Sequence, residues 1–149
     1  MSNSRVGSLV KELRDAYQGR PWYGDALWKT LAGITEREAN EKPPAGTHSI
    51  AALVGHITTW IEVVHRRIDG EAVRVTSAMN FPRPGEWKQQ LKRLDRAHAA
   101  LVERVSKMND TDLDRKAAGK GHTIEFAVRG VVQHCIYHQG QIGMLKRHP

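Results

Sequence analysis

Residues 133–142 read QHCIYHQGQI and put His134 and His138 one helical turn apart in a segment whose other residues are apolar at helical spacing. Imidazoles at i and i+4 project from one face of a helix, the arrangement by which a helix offers two nitrogen ligands to a metal ion. A third ligand must come from elsewhere. With Cys135 at the centre of the inward stripe and about 100° per residue, His138 falls roughly 60° and His134 roughly 100° off centre, on the same side. His56 lies on the matching flank of an earlier segment, about 100° from Ile57 and beside Trp60. It meets the pair if the two helices are neighbours. Three neutral imidazoles on zinc, nickel or a similar divalent ion leave a coordination position open, which Lewis-acid or water-activating chemistry requires. Spacing leaves one alternative standing, in which these flank histidines bond only to backbone or water.

The remaining candidates point to structure. His98 stands on the core stripe of its helix and reads as a buried, hydrogen-bonded histidine, while His48, His65, His122 and His148 fall at helix ends or on outer faces. Cys135 reads as a small buried apolar residue, with a nucleophile as the alternative. As the single cysteine of the chain it excludes an internal disulfide and the multi-cysteine zinc patterns. No Ser-His-Asp order, Walker loop or dinucleotide fingerprint occurs. Glu62 and Glu125 are the carboxylates considered as a general base, but helical phase does not bring them to the side of His56, His134 and His138. No catalytic residue is therefore assigned.

Four long helices are expected to carry these residues, with an additional short one. The first begins near Ser4 with Val6, Leu9, Val10 and Leu13, breaks at Gly19-Arg20-Pro21, and resumes as the short helix carrying Leu27, Leu31 and Ile34. The second runs from about His48 to Asp69, with Thr47 as its cap and Gly70 as its stop. The third steps through Trp87, Leu91, Leu94, His98, Leu101, Val105 and Met108. The last repeats that step through Ile124, Val128, Val131, Cys135, His138, Ile142 and Leu145, entered at Thr123 and ended near His148-Pro149. Connectors at 40–46, 71–86 and 109–122 are long enough to allow a topology other than up-down-up-down. No segment alternates with period two, so the class is all-α and the architecture a four-helix bundle.

The chain has 149 residues, 40% hydrophobic and 26% charged, the size and balance of one soluble domain spanning 1–149. No run approaches the roughly 20 apolar residues of a membrane span, and the start MSNSRVGSLVKELRD lacks a secretory apolar stretch, so a cytoplasmic protein is expected. The formal charge of +7 is scattered; its densest set, Lys88, Lys92, Arg93 and Arg96, lies on the polar side of one helix without an aromatic platform. Nucleic-acid binding is not expected. Arg66 and Arg67 stand either to receive an acidic substrate or as a solvated helix end. A second apolar row on the last helix, Phe126, Gly130, Gln133, Tyr137, Gly140 and Met144, together with the small back of the second helix at Ala52, Gly55 and Thr59, predicts a homodimer built on these two faces.

PWYG from residue 21, HSIAALVGHITTW at 48–60, NFP at 80–82 and VVQHCIYHQGQIGMLKR at 131–147 together make the chain resemble the DinB-like superfamily of metal-binding four-helix bundles, over nearly its whole length. The resemblance implies a metal held by a histidine triad, at His56, His134 and His138 by motif position, and a dimer. The superfamily includes thiol-dependent transferases and isomerases that use low-molecular-weight thiols such as bacillithiol or mycothiol. A histidine often found in related sequences is replaced here by Tyr23, which leaves that position without an inherited role. Two functions follow as expectations: a metal-dependent enzyme, of thiol-dependent S-transferase type or a hydrolase, and a non-catalytic metal- or ligand-binding bundle.

Overall fold

Each long helix begins where a side chain satisfies backbone N–H groups that have no partner within the helix. The computed structural model describes residues 4–146. Ser4 caps α1 (Arg5–Tyr17), its Oγ accepting from the Gly7 N–H. Ser49 does the same for α4 (Ile50–Ile68) by accepting from Ala52, so the cap lies two residues past the expected Thr47, which turns back on the Pro44 carbonyl instead. Gly70 ends α4 as expected, with a φ of +98° that favours glycine. Thr123 caps α7 (Ile124–Lys146) through the Phe126 N–H. The start of α6 (Trp87–Ser106) has no side-chain cap of its own; Glu36 accepts the Trp87 N–H from across the bundle at 3.0 Å. The end expected near His148-Pro149 lies outside the described residues.

Between these helices stand three elements shorter than one periodic window, α3 (Glu36–Ala39), α5 (Ser77–Asn80) and a 3-10 turn (Asp110–Asp114), in addition to the expected short helix, α2 (Leu27–Leu31). Hydrophobic periodicity needs about two turns to register, so none of the three shows in it. Their caps are legible all the same: Thr35 with Glu38 and Asn109 with Asp112 form capping boxes, and Thr76 caps α5.

Both α1 and α4 pack against α6 and α7, which leaves α1 and α4 diagonal to one another. Successive long helices α1 and α4 are thus not neighbours, the departure from simple up-down order that the long connectors allow. Leu9, Leu13, Ile57, Ile61, Leu94, Leu101, Ile124 and Ile142 are fully buried in one core, each stabilising the fold by about 1.5–3 kcal/mol of removed apolar surface. His98 sits in that core as expected: its Nε2 donates to the Leu13 carbonyl at 2.8 Å and its ring stacks on Tyr17, tying α6 to α1. Among the described residues no helix is long and apolar enough to cross a membrane.

The two faces expected to form a dimer differ. On α7 the row of Phe126, Tyr137 and Met144 is exposed. The back of α4 is not available: Gly55 and Thr59 are buried, and a Cβ on Gly55 would meet the Pro82 ring at 3.3 Å. Pro82, in the connector after α5, already packs over Gly55.

Candidate metal centre

Because α4 and α7 are neighbours, His56 reaches the pair on α7. The Nε2 atoms of His56 and His134 lie 2.9 Å apart, and those of His134 and His138 3.0 Å apart. One ligand atom from each residue lies within 4.8 Å of the others. His56 and His138 are buried and His134 is half-buried, in keeping with the flank positions derived from helical phase. The three imidazoles meet edge to face, with centroids 4.4–4.7 Å apart.

The far side of two rings is fixed. His56 Nδ1 lies 2.6 Å from the Asn80 carbonyl oxygen, and His138 Nδ1 lies 2.6 Å from Gln141 Oε1. Both oxygens accept, so both Nδ1 atoms donate, and a ring without a second proton turns a bare Nε2 lone pair toward His134. A proton on His134 Nε2 can serve only one of these neighbours. The bare Nε2 of the other neighbour is then left without a donor, a want that a cation among the three nitrogens meets. An extra proton is a poor candidate for that cation at neutral pH, since burial first, then His138 and His56, push the His134 pKa down to about 4. Burial likewise lowers His56, against the opposing pull of the Asn80 carbonyl. The donor set fits a divalent metal ion bound by neutral imidazoles.

Asn80, Phe81 and Gln141 are the residues that sequence reasoning missed here. Phe81 stacks flat on His56, centroids 4.1 Å apart, and also on His48. Asn80 accepts the Trp60 indole N–H on its side-chain oxygen at 2.8 Å while its backbone oxygen orients His56. No periodicity marks a connector, so in the sequence Asn80 and Phe81 stand out only as part of the NFP motif. Gln141 could have been found, because i and i+3 share a helix face.

Glu62 and Glu125 lie away from the cluster, as their phase requires: Glu62 pairs with Arg93, and Glu125 with Arg5 and Arg129. Cys135 is buried, and desolvation pushes its thiol up to about 12, so it is a packing residue. Tyr23 is partly exposed, edge-on to Trp22. Arg66 and Arg67 separate: Arg66 is exposed and pairs with Glu71, whereas Arg67 is buried.

Beside the cluster opens a cleft of about 400 Å³ between α4, α7 and the loop before α7, lined by His56, Trp60, Val64, Phe126, Val131 and His134 among others. Mostly apolar walls with two imidazoles at one end make a pocket of small-molecule size. Three neighbouring histidines that could hold a metal ion lie next to this cleft in an all-α bundle. No curated protein and no solved structure matches the chain. Residues 22–142 match the DinB superfamily, and that span covers most of the sequence. The chain belongs to the DinB superfamily.

Proposed function

We propose that the protein holds a divalent metal ion, zinc or nickel, on His56, His134 and His138, and that it is a metal-dependent enzyme acting on a small molecule in the adjoining cleft. The observation that carries this reading is the convergence of three Nε2 atoms, two of them on rings oriented by Asn80 and Gln141. Ligand histidines are commonly oriented in this way by an acceptor on the other ring nitrogen.

When bound, such an ion lowers the pKa of a thiol or water that reaches it and supplies a nucleophile at neutral pH. The chain's own residues prepare the ground for it. Asn80 and Gln141 hold their imidazoles in the ligating tautomer, Phe81 covers one face of His56, and Trp60 and Phe126 wall the approach with apolar surface. Glu62 and Glu125, tied up in ion pairs, do not serve as base. That favours a reaction whose nucleophile needs no protein base once the ion has lowered its pKa, as in thiol-dependent transfer, with hydrolysis as the neighbouring option.

The missing base is also what favours a second reading, a non-catalytic metal-binding bundle. A turnover assay separates the two. Protein loaded with zinc or nickel is incubated with a low-molecular-weight thiol and an electrophile such as monochlorobimane, beside His56→Ala. Adduct formation above the metal-only rate, lost in the variant, supports the enzyme; equal rates across a range of thiols and in hydrolase screens support the binding protein. We further take the protein to be a homodimer that pairs through the exposed α7 row of Phe126, Tyr137 and Met144; sedimentation as a monomer near micromolar concentration contradicts it.

A further inference from the structure

Arg67 is a charged residue in an expensive place. It is 7% exposed, yet no carboxylate among the described residues pairs with it. Its Nε and one terminal nitrogen donate to the Val73 carbonyl, the shorter bond at 2.8 Å, and its guanidinium carbon lies 5.7 Å from the centre of the Trp60 ring. The other terminal nitrogen has no hydrogen-bond partner among the described residues. That nitrogen is not among the buried atoms without a partner, so a mostly buried guanidinium with no counter-charge keeps one donor open to the cleft, where an anion can reach it.

The surroundings reinforce that charge. The cleft beside the histidines continues past Trp60 and Asn80 into a wider opening of about 700 Å³. Among the described residues, the lining of the two spaces includes Arg67, Arg74 and Lys120 and no carboxylate. Lys120 is brought there by the loop before α7, whose Ala118 N–H is bonded to the Arg67 carbonyl at 3.0 Å and whose Gly119 packs on Ala72. Arg74 and Lys120 are exposed and form no ion pair among the described residues. At the other end of the same cleft stand His56 and His134, with the Trp60 ring 6.2 Å from that of His134. Trp60 is therefore the wall shared by the cationic end and the imidazole end.

We propose that the cleft binds a small organic acid, its carboxylate on Arg67 with Lys120 and its apolar body along Trp60 toward the histidines. A carboxylate suits one free guanidinium nitrogen and one ammonium, and the apolar middle of the cleft excludes ligands that are polar throughout. The assignment supplies the substrate class for the site proposed above. It rests on that reading only for what happens at the imidazole end.

The test uses cinnamate and its neutral isostere cinnamamide, titrated by calorimetry or ligand-observed NMR into the full-length protein as purified and again after chelation. Chelated protein isolates the claim, because a carboxylate cannot then be drawn by a metal ion. The expected result is tighter binding of cinnamate by roughly tenfold or more in both samples, the factor of one charge-assisted hydrogen bond. Arg67→Gln removes that preference, weakening cinnamate binding more than cinnamamide binding. Preference for the acid in metal-loaded protein only, equal binding of the two probes, or no binding of either overturns the proposal while leaving the histidine site untouched. The wild-type comparison decides the matter even if Arg67→Gln fails to fold.

Discussion

Gln141 accepts from His138 Nδ1 at 2.6 Å, one turn further along α7, and so turns the opposite nitrogen of that ring toward His134. If this bond sets the ligating tautomer, Gln141→Ala weakens zinc or nickel affinity by about tenfold to a hundredfold, the usual effect of losing such a support. Competition against a chromophoric chelator reads that change. An affinity equal to wild type means the ring is oriented by packing alone.

The metal-free protein should lose stability as pH falls from about 6.5 toward 4. His134 titrates near 4 when folded, and His56 and His98 are also lowered, burial being the main cause in each case, whereas an unfolded histidine titrates near 6.5. Across that window the unfolded chain takes up protons that the folded chain refuses, so acid favours unfolding. Bound metal deepens the loss, since protons compete for the same nitrogens. The melting temperature of chelated protein is expected to drop by several degrees between pH 7.5 and pH 5. A flat profile contradicts the burial of these imidazoles.

Most of the candidate site is legible in residue spacing, and the reason is geometric. His134 and His138 share a face because of helical spacing, and His56 sits on a matching flank. What spacing alone leaves undecided is whether α4 and α7 are neighbours, which depends on how the connectors at 71–86 and 109–122 cross the bundle. The same connectors hide Asn80, Phe81 and Lys120, because irregular backbone and a one-turn helix carry no period. No pattern in the sequence singles out Arg66 or Arg67, or tells one from the other. Adjacent helix positions differ by about 100°, and only packing shows that one guanidinium turns into the cleft while the other pairs with Glu71 in solvent. The dimer expectation errs on α4 for a similar reason: a small residue at Gly55 does announce close packing, but its partner is Pro82 of the same chain.

His98 should behave unlike the other buried histidines. Its ring fills core space and donates to Leu13, so His98→Ala leaves a cavity and costs about 2–4 kcal/mol in denaturant unfolding with metal content unchanged. Loss of metal in the folded variant, or no loss of stability, contradicts the assignment.

Cys135 faces the core, and burial pushes its thiol up to about 12, so the native protein should resist aromatic disulfide reagents at pH 8 and react fully in denaturant. Rapid reaction of native protein means that Cys135 is accessible and restores it as a candidate nucleophile.

The central claim is the metal ion itself. Elemental analysis of untagged protein after gel filtration without chelator, wild type beside His138→Ala, tests it most directly. About one zinc or nickel per chain, with most of it lost in the folded variant, is the predicted result. No metal in the wild type, even after reconstitution with zinc and with nickel, would contradict the account and leave His56, His134 and His138 as a packing cluster.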